Sequence, residues 1–324
     1  MRYRLLGRTG LRVSEVFLGS LGFGEEGGGV PLTEAKRILD MYSDAGGNVI
    51  DTAINYGGGA SESDLGELLS GRRDRFVLGT KYAWTRDGTD PNAAGNHRKN
   101  LVRSLETSLR RLRTDYIDLY WVHIWDPLTP VEETVRALND AVRSGKVLHV
   151  GFSDTPAWVV SQAATLAAQR GLEAPAAVQA PYNVVQRDIE REILPMAESH
   201  GLTVASWGPL AKGAMAGRRA LETLNATERQ AAETVATVAK EVGATPAQVA
   251  LAWTRSRHRL IHPIVGASSS DQLRELLGGV DLVLPDEAVA RLDAASDFTL
   301  GFPSSFITQA APVYGESFSR VDPS

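Results

Sequence analysis

"TEAKRILDMYSDAGGNVIDT", residues 33–52, contains a helix, its stop and the strand that follows. Thr33 is suited to cap a helix start, Ile38, Leu39, Met41, Tyr42 and Ala45 recur at helical spacing, and Gly46 and Gly47 end the run. Val49 and Ile50 then open a short β-branched strand that stops on a carboxylate, Asp51. With "EVFLGS" (15–20) before it, the stretch makes one βαβ unit. Working outward, "FVLGTK" (76–81), "YIDLYWVH" (116–123), "KVLHVGFS" (146–153), "AAVQAPY" (176–182), "LTVASWG" (202–208) and "RLIHPIVGAS" (259–268) read as further strands. Helical segments such as "VEETVRALNDAVRSG", "PAWVVSQAATLAAQRG" and "IEREILPMAESHG" lie between them. Eight alternating units predict an α/β fold, a closed (β/α)₈ TIM barrel; a doubly wound open sheet more often has about five to seven strands and a switch point.

The chain of 324 residues exceeds the usual domain size, but one barrel of about 250 residues with insertions accommodates it, so residues 1–324 are expected to form a single domain. "MRYRLLGRTGLRV" carries the turn "GRTG" between two β-like runs, a hairpin expected to close the barrel bottom. Helical segments at 227–242 and from 245 separate the seventh and eighth strands, so one of them is an insertion. The tail "FTLGFPSSFITQAAPVYGESFSRVDPS" is expected to loop over the mouth.

Composition excludes several chemistries. With no cysteine there is no disulfide, thiolate nucleophile, iron–sulfur cluster or cysteine-ligated zinc. A net charge of −5, from 34 basic and 39 acidic residues, offers no global positive field for nucleic acid. No apolar run approaches the ~18 residues of a membrane span, and no signal peptide is recognisable, so a cytoplasmic protein with a small-molecule partner is expected. "GFGEEG" (22–27) matches G-x-G-x-x-G literally, yet two glutamates and "GGGVPL" separate it from the next helix. Those carboxylates would repel phosphate, so it reads as an ordinary loop.

In a barrel, strand C-termini meet at one mouth. Asp51 ends the second strand with Tyr56 in the loop beyond, Lys81 ends the third and His123 the fourth. Each alone has an ordinary reading, as a turn cap, an edge cover, a solvated amine or a core imidazole. Together they have a task. A phenol is a poor acid at neutral pH, but an adjacent ammonium stabilises its phenolate. Lys81 would be that cation, Asp51 would hold it charged, Tyr56 would supply the proton and His123 would hydrogen-bond a substrate carbonyl. Such a site polarises C=O but contains no hydride donor, which implies a nicotinamide cofactor.

"DTAINYGGGASESDLGELL", "VLGTKYAW", "DLYWVHIWD", "GFSDTPAW", "VQAPYN", "SWGPLAKG" and "PIVGASSSDQLRELL" resemble, in order, the motifs of the aldo-keto reductase superfamily over about residues 3–296. The resemblance implies a (β/α)₈ barrel that binds NADP(H) at its mouth, usually without a Rossmann unit or metal, and a catalytic tetrad of Asp51, Tyr56, Lys81 and His123. It also implies that Ser153, Asp154 and Gln179 hold the nicotinamide carboxamide, that Trp207 stacks on the ring, and that Gly19 and Ser20 touch the nicotinamide side. Gly208, Pro209, Leu210, Lys212 and Gly213 would form the pyrophosphate loop, and Gly266, Ser268, Gln272 and Glu275 the adenosine segment. That segment has Ser268 and Leu276 where many relatives have a basic residue and an asparagine, so NAD(H) stays admissible beside NADP(H) and Arg218 or Arg219 becomes a candidate for the missing charge.

The expected activity is reduction of an aldehyde or ketone. Two other readings are a Schiff-base aldolase with Lys81 as nucleophile, disfavoured by Asp51 keeping the amine charged, and a cofactor-holding redox sensor with little turnover. Trp84, Trp125 and the tail around Phe302, Phe306 and Tyr314 are candidate pocket walls for an apolar carbonyl.

Overall fold

The computed structural model describes residues 1–307, 315, 317 and 320, the side chain of Glu26 excepted. Strands β1 (Tyr3–Leu5) and β2 (Arg12–Ser14) pair antiparallel as the expected hairpin. Eight strands follow: β3 (Phe17–Gly19), β4 (Val49–Asp51), β5 (Val77–Tyr82), β6 (Ile117–Val122), β7 (Val147–Ser153), β8 (Ala177–Pro181), β9 (Thr203–Trp207) and β10 (Ile261–Val265). All pair parallel, and β10 closes on β3, so the barrel is complete. Helices α1 (Leu32–Asp44), α2 (Ala60–Leu68), α3 (Arg98–Leu112), α4 (Val131–Arg143), α5 (Ala157–Arg170) and α6 (Ile193–His200) connect the strands, followed by α7 (Ala226–Val242), α8 (Pro246–Ser256), α9 (Ser270–Leu277) and α10 (Asp286–Asp293). Of the two helices between β9 and β10, α8 packs on β10 and α7 packs on α8, so α7 is the added layer.

Strand alternation sorts side chains into two cores. Leu78, Tyr82, Tyr120 and Val122 face the helices, whereas Val49, Val77, Leu119, Trp121, Ala205 and Ile264 fill the barrel interior. Trp121 spans that interior because its neighbours are small: a methyl on Gly151 would lie 2.5 Å from its ring, and one on Gly79 3.0 Å from Nε1. Leu6 and Val13 of the hairpin join this interior core, and Gly7 N–H donates to Thr203 Oγ1 at 2.8 Å. Thr203 begins β9, so the hairpin plugs the N-terminal end.

One local expectation needs correction. Pro31, not Thr33, occupies the N-cap of α1, with φ −57° and no side-chain cap bond; the fixed proline φ suits the chain's entry, and the helix starts at Leu32. The described start of the tail is anchored at the segment before α6: Phe298 lies 4.7 Å from the Arg187 guanidinium and 4.8 Å from that of Arg191, and Arg191 Nε donates to the Thr299 carbonyl. Phe302 and Phe306 are 85% and 64% exposed beyond that anchor, and Tyr314 lies outside the described residues. The "GFGEEG" stretch is a loop that precedes α1 and packs backbone to backbone on the Tyr56 loop, a methyl on Gly27 falling 2.4 Å from Gly57 Cα.

Candidate active site

The period-two pattern that packs Val77 and Leu119 inward also aims Lys81 inward, and His123 continues the inward row of Leu119 and Trp121 just past β6. Asp51 is the last residue of β4 and pairs with Gly79 in register. Three neighbouring strands thus deliver a carboxylate, an ammonium and an imidazole to one mouth. Tyr56 arrives by a turn instead: Ile54 N–H donates to the Lys81 carbonyl and Tyr56 N–H to that of Ala53. Gly57, Gly58 and Gly59 follow at φ 56°, 65° and 103°, left-handed values that glycine adopts without a Cβ penalty.

Lys81 has no solvent exposure, and its ammonium makes three hydrogen bonds: to Asp51 Oδ2 at 2.6 Å, the Thr52 carbonyl at 2.8 Å and Tyr56 Oη at 3.0 Å. Burial alone would favour the neutral amine, but the Asp51 charge and the Tyr56 oxygen outweigh it and hold the lysine pKa above its ordinary value. Asp51 Oδ1 accepts from Gln179 Nε2 at 3.1 Å, so the carboxylate is held on both sides. The His123 ring stands edge-on to Tyr56 at 5.9 Å. Burial and the Lys81 charge push its pKa down to about 3, so it is a neutral imidazole.

Asp51, Tyr56 and His123 line a cavity of ≈ 370 Å³ shared by Gly19, Ser153, Asp154, Trp207, Gly208, Lys212 and Gly266, with Lys81 enclosed behind that lining. Sequence reasoning missed Leu21 and Ile264, which also line it. Leu21 lies in a loop with no periodic signal, and Ile264 reads as ordinary core. A methyl on Gly19 would lie 2.8 Å from Ile264 Cγ2, so glycine there keeps this wall open. Ser20 differs from expectation: it is fully buried, outside the cavity lining, and its hydroxyl contacts the Asp51 carbonyl and Ser61 Oγ. Gln179 lines the cavity, although its amide is engaged by Asp51. Neither pocket-wall tryptophan lines the cavity: Trp84 stands next to it, its ring 5.9 Å from that of His123, whereas Trp125 packs edge-on against Trp158 at 6.3 Å.

The cavity has features that suit a nicotinamide and its phosphates. Ser153 Oγ and His123 Nδ1 are buried with no hydrogen-bond partner among the described residues, which is costly unless a ligand supplies one. Trp207 Nε1 donates to Asp154 Oδ1 at 3.1 Å, fixing the indole at the rim. Ala211, Lys212 and Gly213 take φ of 48°, 54° and 89°, a left-handed run that bends the loop at the cavity, which Lys212 lines. Asn183 Nδ2 holds the Gly208 carbonyl at 2.9 Å, a support the sequence did not single out. Of the non-glycine residues with positive φ among those described, Ala83, Asp154, Ala211 and Lys212 lie in mouth loops and Arg113 alone caps a helix, so backbone strain gathers at the cavity.

On the adenosine side, Ser269 caps α9 by accepting from Gln272 N–H, while Ser268 Oγ donates to Gln272 Oε1 at 2.9 Å. Glu275 pairs with Arg218 at 2.8 Å, and Arg219 pairs instead with Glu228. Arg218 therefore stands at the segment and Arg219 does not.

The profile of the aldo/keto reductase family matches residues 15–297. Norsolorinic acid reductase stcV of Emericella nidulans is 37% identical over 93% of this chain and 83% of that protein. A putative aryl-alcohol dehydrogenase of Saccharomyces cerevisiae, AAD14, is 33% identical over 94% and 89%, and an aryl-alcohol dehydrogenase of Pestalotiopsis microspora, GME11368, is 34% identical over 94% and 85%.

Proposed function

Because this chain belongs to the aldo/keto reductase family and is an oxidoreductase of carbonyls or alcohols, we propose that it reduces an aldehyde or ketone with NADPH, Tyr56 supplying the proton. The observation that carries the reading is the contact of a buried, charged Lys81 with Tyr56 Oη at 3.0 Å, Tyr56 itself lining the same cavity as His123. The bound cofactor would supply hydride to the carbonyl carbon. As the C=O π pair moves onto oxygen, Tyr56 transfers its proton there, and the product is the alcohol. Lys81 stabilises the phenolate that remains, and Asp51 keeps Lys81 charged and aimed. Neutral His123 donates a hydrogen bond to the same oxygen without competing as an acid. A lysine held charged is a poor amine nucleophile, which weighs against Schiff-base chemistry at Lys81.

Ser153 and Asp154 would orient the carboxamide, Trp207 would pack on the ring, and the 208–213 loop with its Lys212 ammonium would meet the pyrophosphate. Arg218, beside Glu275, would supply the charge for a 2′-phosphate. Titration with NADPH and NADH followed by a panel of aromatic and aliphatic carbonyls tests this. NADPH should bind more tightly and be consumed, and Arg218→Ala should weaken NADPH about tenfold while leaving NADH unchanged. Tight NADPH binding with no consumption across the panel would favour the sensor reading instead.

A further inference from the structure

Thr80, one residue before Lys81, points away from the mouth by strand alternation, and its hydroxyl donates to Glu62 Oε1 at 2.7 Å. Glu62, on α2, has no side-chain exposure, and its other oxygen accepts from Arg111 Nη1 at 3.2 Å. The same nitrogen donates to the Ile54 carbonyl at 2.8 Å, and Nη2 reaches the Gly58 carbonyl at 3.4 Å. A methyl on Gly59 would fall 2.2 Å from Arg111 Cζ, so the guanidinium lies against the chain there. Arg111 thus grips the backbone two residues before Tyr56, and two and three residues after it. The gripped segment holds three consecutive glycines, the stretch of the site with the greatest backbone freedom to lose. On the strand side the chain of contacts ends at Thr80, whose neighbour is the lysine that Tyr56 must meet.

We propose that Arg111, held by Glu62, is the positioning residue of the Tyr56 loop: it acts from outside the barrel mouth to set the phenol against Lys81. The fork of a guanidinium suits this task because one planar group can serve a carboxylate and two carbonyls at fixed angles. The inference rests on Tyr56 being the proton donor, and its test separates the two ideas.

Full-length Arg111→Met and Arg111→Lys proteins are compared alone and combined with Tyr56→Phe, by kcat and KM for an aromatic aldehyde, by NADPH affinity and by amide exchange of residues 54–60. Methionine leaves Glu62 buried and unpaired and can unfold the chain; lysine keeps a charge for Glu62 but loses the fork. Expected for Arg111→Lys are a kcat lower by about 10- to 100-fold, NADPH affinity within about threefold of wild type and faster exchange at 54–60. In the Tyr56→Phe background the same substitution should change the residual rate by less than about twofold, since there is no phenol left to position. An equal loss in both backgrounds, or unchanged kcat and exchange, overturns the proposal. If the wild-type protein reduces no carbonyl, the acid reading of Tyr56 fails, and exchange at 54–60 decides whether Arg111 holds the loop.

Discussion

Lys81 is fully enclosed, so its charge is tolerated only because Asp51 and two further oxygens replace water around it. Removing one partner therefore does more than remove a contact. Lys81→Met should destabilise the chain by about 3 kcal/mol or more, because Asp51 is left buried without a cation. The double variant Asp51→Asn with Lys81→Met should recover much of that stability and none of the turnover. Urea melts of the two proteins beside their rates check the pair, and a double variant no more stable than the single would contradict the account. Asp51, Lys81 and His123 were legible in the sequence because each lies within one residue of a strand's C-terminal end, where the pattern itself says which way a side chain points. Ser20 also ends a strand run, but the chain turns after Gly19 and sends its hydroxyl to Ser61 and the Asp51 carbonyl. No periodicity carries that information.

At the scale of elements, the eight strands were readable because each is a short apolar run bounded by turn residues. Loops were read less well. Trp125 follows β6 by only a few residues, yet its ring turns to Trp158, a partner on the helix after the next strand. The Arg111–Glu62 pair was also hidden: 49 residues separate the partners, and both sit on helix faces whose sequence reads as ordinary amphipathic surface. The floor beneath the site depends on similar long-range fitting. Trp121 of β6 lies across from Gly151 of β7, with no room for a methyl between them. Gly151→Ala should cost about 1–3 kcal/mol through overpacking, read as a lower thermal midpoint, and it should depress turnover by tilting the inward row that carries His123. An unchanged midpoint would mean that the barrel interior yields more easily than its contacts imply.

For the whole molecule, the buried ionisable groups pull both ways on stability: burial raises the carboxyl pKa of Glu62 and Asp154, which favours folding as pH falls, but two imidazoles and Glu15 oppose them. His123 and His262 have pKa values pushed by burial to about 3 and about 4, below an imidazole's ordinary range. As pH falls below about 6.5, these imidazoles take up protons when unfolded but not when folded, so each weakens folding by up to about 1.4 kcal/mol per pH unit. Glu15, held down to about 2 against its burial by Arg2 and Arg255, adds to the loss below about pH 4.5, where only the unfolded chain protonates it. Urea midpoints should therefore fall between about pH 7 and pH 5 and fall further below that; a midpoint that rises on acidification would contradict it.

The charged lysine, the glycine loop and the barrel floor converge on one event, transfer of the Tyr56 proton to a carbonyl oxygen as hydride reaches the carbon. Single-turnover oxidation of NADPH by an aldehyde, compared for wild type and Tyr56→Phe, tests that event most directly. The phenylalanine protein should react about 10²- to 10⁴-fold more slowly, with NADPH affinity within about threefold. A phenylalanine protein that turns over at the wild-type rate would contradict it.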